Sequence, residues 1–309
     1  MSDSTVMKSV LQRDRVVVLA ALIAVTALSW WYLIDMARDM GDMDMSSMDM
    51  PEDASAMDMS GTNMEIPMPA DAGMGEMDMG SAMPVDSGSD DAKPMAMDMM
   101  QIQAWTPAYF AMMFLMWAIM MVGMMVPSAA PMLLTYTGFI RNQDGASPYR
   151  SAAAFLGGYL FVWTAFSLAA TTLQWGLDTA ALLSPMMVST SPWLGAGLLI
   201  AAGIFQLTPW KDACLVHCRS PLQFFMQHWR KGTSGAFQMG LHHGAFCLGC
   251  CWLLMGLLFL GGVMNLLWIA AITAFVLLEK VAPLGPAAGK VSGALMIVSG
   301  IAFFAVNAL

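Results

Sequence analysis

Residues His242 to Trp252 read HHGAFCLGCCW and run without a break into the apolar stretch LLMGLLFLGG. Two imidazoles and three thiols therefore open a segment that carries no charge. Read as a helix, His243, Cys247 and Cys251 are spaced i, i+4, i+8, and Cys250 sits three beyond Cys247, so these side chains share one face. Imidazole nitrogen together with thiolate sulfur suits Cu(I), Zn(II) or an iron–sulfur cluster. A free cysteine is often just a small apolar packing residue. Three of them within five residues, with histidine on the same face, are more than packing needs.

A second group precedes this one. The stretch CLVHCRSP holds Cys214, His217 and Cys218, with the two cysteines again i, i+4, and His228 follows in FFMQHWRKG. All five cysteines and all four histidines of the chain fall between Cys214 and Cys251. The spacing is not that of a zinc finger, so zinc fits less well than Cu(I). The two groups either complete one site or form two adjacent ones.

Thioether sulfur is the third candidate ligand. In MMFLMWAIMMVGMMVPSAAPM, at about 100° per residue, Met112, Met113, Met116, Met120 and Met124 fall within about 120° of one another, and Met121 and Met125 lie to the side. Such a stripe is ordinarily flexible core filler. Beside so many soft ligands it is also a candidate metal ladder through Met113, Met116, Met120 and Met124. Pro127 and Pro131 are expected to end or kink that helix. A fourth feature is Met40–Met100, in which 17 of the 35 methionines alternate with fourteen acids against the single base Lys93. Thioether is neutral and forms no disulfide, so it binds Cu(I) even where conditions are oxidising, and the adjacent Asp concentrates cations.

The elements that must position these groups follow from composition. The chain is 58% hydrophobic and 11% charged, which is a membrane composition. Its net charge of −9 is confined to the Met/Asp stretch, and the remainder is basic. With no basic patch, nucleic acid is excluded as a partner. Apolar runs are expected to span the bilayer at Val16–Ile34, Pro107–Val126, Ala152–Trp175, Trp193–Leu207, Gly235–Leu260, Met264–Leu278 and Val291–Val306. Threading these seven in order puts every base except Arg38 and Lys93 on one side, together with Lys8, Arg13 and Arg15. By the positive-inside rule that side is the cytoplasm, with the N-terminus inside and the C-terminus outside. The linker carrying Cys214 to His228 then faces the cytoplasm, where thiols stay reduced. Met40–Met100 has no aromatic residue and many Gly, Ser and Pro, so it is expected to be disordered, on the periplasmic side. The resulting organisation is all-α: an N-terminus and first transmembrane helix (1–39), a Met/Asp-rich loop (40–103) and a six-helix membrane domain (104–309).

The pieces MWAIMMVGMMVPSAAPM, CLVHCRSPLQFFMQHWRKGTSGAFQMG, HGAFCLGCCWLLMGLLF and MNLLWIAAITAFVLLEK together resemble a bacterial family of metal-binding integral membrane proteins often labelled copper chaperone. The resemblance runs from about Ala104 to Ala308. It implies metal binding by Cys214, Cys218, His243, Cys247, Cys250 and Cys251. At His242 that family usually carries a basic residue, which leaves His242 outside the implied ligand set.

The reading that follows is a multi-pass protein of the bacterial inner membrane that binds Cu(I) and delivers it to a cuproenzyme or copper-carrier protein, for metalation or tolerance. Its partners are then the metal ion, membrane lipid and that recipient. The rivals are a copper transporter and a membrane enzyme using the Cys/His site for redox chemistry. A CxxC is present at Cys247–Cys250, but within an apolar helix and without a βαβ context. No P-loop or nucleotide-binding domain is present, and no acid–base pair suited to catalysis. Glu279 beside Lys280 reads as an interfacial pair at a helix end.

Overall fold

A computed structural model describes residues 2–46, 105–144, 148–183, 191–283 and 285–308. The bundle below is one compact unit formed by Met1–Gly41 and Trp105–Leu309; Asp42–Ala104 is a separate unit. Beyond the end of the first helix, the Met/Asp-rich stretch lies outside the described residues. That first helix continues to Ser46, so Met40–Ser46, expected to be disordered, is helical.

Among the described residues the elements are helical, as the composition implies. They are α1 (Ser2–Ser46), α2 (Pro107–Asp144), α3 (Tyr149–Thr179), α4 (Pro192–Gln206), α5 (Pro209–Arg219), α6 (Pro221–His228), α7 (Gly232–Gly256), α8 (Leu258–Gly261), α9 (Leu266–Val281) and α10 (Gly285–Ala308). Among the described residues five segments are long and apolar enough to cross a membrane, and α4 with α5, bent by 65°, makes a sixth if counted as one broken span. The sixth expected span, Met264–Leu278, corresponds to α9. Its 16 residues rise about 24 Å, short of a ~30 Å hydrocarbon core. Large apolar side chains such as Ile23, Leu28, Trp31, Phe161 and Leu267 point outward, as lipid-facing surfaces require and water-facing ones rarely tolerate in such numbers.

Serine or threonine before proline starts three helices in succession. Ser191 and Thr208 accept hydrogen bonds from Leu194 N and Lys211 N, with Pro192 and Pro209 in the first turn; Ser220–Pro221 opens α6. Proline supplies a fixed φ where its missing N–H costs nothing, and it drives the preceding residue extended. That is the local cause of the bend after Gln206. Gly262, at φ 91°, makes the turn between α8 and α9, a backbone region that side-chain-bearing residues rarely enter.

Pro127 and Pro131 do not end α2, which continues through both to Asp144. Pro127 has no N–H for the carbonyl of Gly123, four residues back, and Trp30 Nε1 of α1 donates to that oxygen at 3.3 Å. The group freed by the proline is thus satisfied by a neighbouring helix, the condition for proline inside an apolar span. At the other end of α1, buried Asp14 pairs with Arg141 Nε (3.4 Å) and accepts from Tyr149 OH (2.8 Å).

The axis of the bundle is the pair α3 and α7, which meet through glycine. A Cβ on Gly240 would strike the Phe155 carbonyl, with Phe155 Cα at 3.1 Å; one on Gly158 would meet Leu241 N at 2.9 Å. Gly244 faces Val162 at 3.0 Å. Small residues let backbones approach where apolar burial alone gives helices no preference for one another over lipid. Gly203 and Gly293 make a similar contact between α4 and α10. Gly240→Ala is therefore expected to destabilise the bundle by about 1–3 kcal/mol, because the obstructing atoms are backbone. Gly157→Ala, whose nearest neighbour would be Phe237 Cδ2 at 4.0 Å, should change the melting temperature in detergent little, and the pair of measurements checks the close-contact account.

Candidate metal site

The α3–α7 contact sets one face of α7 inward. Met239, His243, Cys247, Cys251 and Met255 follow one another at steps of four and are all buried. Four residues advance a helix about 6 Å, so sulfur and imidazole form a row through the interior. Cys250 is buried beside it. The expected sharing of one face by His243, Cys247 and Cys251 is present, and the row extends one step further at each end.

Within this row the thiols make a connected cluster. Cys250 Sγ and Cys251 Sγ both donate to the Cys247 carbonyl, each at 3.0 Å. Cys218, from α5, packs against the buried cluster that holds Cys247, Cys250 and Cys251, close enough to interact with the first two. Thiols of the two groups that the spacing left as one site or two are therefore in contact. Cys214, also on α5, lies over Gly249, where an added Cβ would come within 2.9 Å of its sulfur. All five cysteines are free thiols. Among the described residues no set of three or more His, Cys, Asp or Glu side chains has the geometry to hold a metal ion. The thiols hydrogen-bond to neighbours rather than converge on a common centre at ligand distance. Thiolate and thioether are both soft donors of the kind that suits Cu(I).

Non-cysteine groups complete the surroundings of Cys247. Lys280 Nζ donates to Cys247 Sγ at 2.8 Å and to Ser128 Oγ at 3.2 Å. Tyr159 OH is 3.1 Å from the same sulfur and donates to the Met125 carbonyl at 3.0 Å. Glu279 is not the partner of Lys280. It pairs with Lys211 Nζ at 2.5 Å, and both are buried. Gln206 bonds Lys211, Glu279 and Ser292. Arg219 clamps the end of α9 by donating to the carbonyls of Glu279 (2.5 Å) and Ala282 (2.8 Å). The expected interfacial Glu279–Lys280 pair is thus two separate buried contacts on adjacent residues, which a helix points about 100° apart.

The histidines divide. His243 is buried, its ring stacked on Tyr159 at 5.4 Å, and its Nδ1 has no hydrogen-bond partner. His217 stacks on Phe246 (4.2 Å) and His228 on Phe224 (4.9 Å). Their rings lie 6.3 Å apart, and His242, set aside above, is 5.5 Å from His228. His217 Nδ1 and His228 Nδ1 each face a backbone carbonyl, that of Ala213 and that of Phe224. A carbonyl only accepts, so the proton sits on Nδ1 and the Nε2 lone pair is free in the neutral ring, the arrangement found in metal-ligating histidines.

Of the methionine stripe, Met113, Met116, Met120 and Met124 are buried in one cluster with Cys247, Cys250 and Cys251, as are Met121 and Met125. Met112, expected within the stripe, is 47% exposed. Gln174 Nε2 lies 3.8 Å from Met113 Sδ and is itself fixed by Trp117 Nε1.

Met239, Met255, Tyr159 and Ser128 carry no signal in the sequence reading, and Lys280 enters it only as half of an interfacial pair. Continuing the i+4 step beyond Cys251 and before His243 finds both methionines. The other three come from α2, α3 and α9, and no local pattern announces them.

A family model described as PpoB2, copper chaperone, matches residues 114–303. It covers more than half of the chain, which therefore belongs to that family. No curated protein and no solved structure matches the chain.

Removing one member of the Lys211–Glu279 pair leaves a buried charge unpaired. Lys211→Met is expected to cost about 3–5 kcal/mol, and the double variant Lys211→Met/Glu279→Gln less than that single one. Thermal unfolding in detergent compares them.

Proposed function

We propose that the chain is an integral membrane Cu(I)-binding protein that captures copper and hands it on, without itself catalysing a reaction. The observation carrying this reading is the contact of Cys218 with Cys247 and Cys250, which joins thiols from two helices inside an apolar bundle. Nothing in ordinary packing requires three adjacent thiols to meet a fourth from another helix. Thiolate prefers Cu(I) over harder ions. The copper-chaperone family membership agrees with that preference.

On this reading Cys218, Cys247, Cys250 and Cys251 are the tight ligands, with Cys214 beside them and His243 along the same row. Met113, Met116, Met120 and Met124 are weaker, exchangeable donors in the same buried cluster. His217 and His228, with free Nε2 lone pairs at the more exposed end, are an entry or exit step. The Met/Asp-rich segment gathers metal outside, and the recipient is a cuproenzyme or copper carrier. On this reading the protein sits in a bacterial inner membrane with its N-terminus in the cytoplasm, an orientation that the positive-inside pattern supports. The buried methionine and α7 rows also suit passage of the ion through the bundle, as in a transporter.

Purified under reducing conditions, the protein is expected to carry copper; stoichiometric zinc or iron would overturn the assignment. Replacing Cys247, Cys250 and Cys251 together with Ser should abolish tight Cu(I) binding against a competing chelator while the protein still inserts. Unchanged affinity would remove the cluster from the account. Uptake of copper by sealed vesicles separates the transporter from the chaperone.

A further inference from the structure

Lys280 is only 7% exposed and lies in the apolar interior. A buried ammonium is retained only when something compensates its charge. Its immediate contacts are the Cys247 sulfur at 2.8 Å and the Ser128 hydroxyl at 3.2 Å. Among the described residues no carboxylate forms an ion pair with it; the nearest in sequence, Glu279, is taken by Lys211. Lys211 and Glu279 cancel each other, so Lys280 contributes one positive charge that the bundle does not balance with a carboxylate.

We propose that Lys280 is the built-in counter-ion of the loaded thiol cluster and determines how tightly a monovalent soft cation is held there. This rests on the Cu(I) reading above. Two thiolates and one Cu(I) carry a net charge of −1. In a low-dielectric interior that anion needs a cation beside it as much as Lys280 needs an anion. An ammonium already against the sulfur of Cys247 makes the loaded centre neutral as a whole. Arg219 holds the end of α9, and Ser128 holds the ammonium itself, so the charge is fixed before the metal arrives. The same neutrality lowers the cost of keeping a charged cargo among apolar helices. Lys280 is here a positioning and affinity-determining residue; it does not ligate the metal.

The test is Cu(I) affinity by chelator competition for the wild type, Lys280→Met and Lys280→Arg, with the melting temperature of each metal-free protein in detergent. Loss of the charge in Lys280→Met should weaken Cu(I) binding about tenfold or more, the scale on which one close opposite charge acts on an anion. Lys280→Arg, which keeps the charge, should retain most of the affinity. The metal-free melting temperature of Lys280→Met should not fall, since the variant removes a buried charge that no carboxylate balances. If Lys280→Met does not insert, Lys280→Gln keeps an N–H donor for Cys247 and Ser128 without the charge and should show the same loss. Unchanged Cu(I) affinity in the charge-free variants, or tighter binding because the ammonium competes with the metal, would overturn the proposal. A wild type that binds no Cu(I) would instead overturn the reading on which it rests.

Discussion

Charge buried among apolar helices is the constraint from which much of this arrangement follows. Lys211, Glu279 and Lys280 all lie inside the bundle, and each must be met by a partner or the helices would separate to let water in. Lys211 comes from α5, Glu279 and Lys280 from α9, and Gln206, which bonds both members of the first pair, from the end of α4. Satisfying them pulls α5 under α9 and requires the chain to turn sharply after Gln206, which the Thr208–Pro209 step supplies. The same turn carries Cys214 and Cys218 toward α7. The thiol cluster is in this sense downstream of an ion pair that touches no sulfur.

The second determinant is the glycine contact of α3 with α7. Gly158 and Gly240 bring backbone against backbone, so Tyr159, the next residue on α3, can reach both His243 and Cys247. A wider helix separation would leave the phenol short of the sulfur and expose the far side of the thiol row. Close approach at three glycines also explains why so many inward methionines of α2 are fully enclosed. Met, unbranched and flexible, fills the space against α2.

Much of this could be read from residue types and spacing, and what could not has a common cause. Facing of His243, Cys247 and Cys251 follows from helical periodicity alone, as does the burial of Met116, Met120 and Met124. The helical class follows from hydropathy. Expectations missed where the deciding interaction comes from another helix. Pro127 leaves α2 unbroken because Trp30 of α1 takes the freed carbonyl. Met112 falls inside the angular window of the stripe yet is exposed, because the window was set by the sequence and the boundary by the helices packed beside it. Glu279 and Lys280 read as a pair since neighbours in sequence invite pairing, whereas the helix turns them toward Lys211 and Cys247. Hydropathy reports apolarity but not a bend, as between α4 and α5, nor whether a run is long enough, as in the 16 residues of α9.

On the proposed reading, a cluster without converging ligands suits a protein that hands its cargo on. A site preformed around a metal, with every ligand at bonding distance, gains affinity but must break all those contacts to release the ion. Here the three thiols of α7 are held instead by neighbours: Cys250 and Cys251 by one carbonyl, Cys247 by Lys280 and Tyr159. On the proposed reading, metal entry replaces the thiol–carbonyl hydrogen bonds of Cys250 and Cys251 and metal departure restores them, so these thiols have a partner in either state. A low contrast between the filled and empty states is the property that transfer demands. On that reading, the Nε2 lone pairs of His217 and His228 toward one end, and the thioethers of the same buried cluster, would supply weaker donors between which an ion steps without being fully stripped.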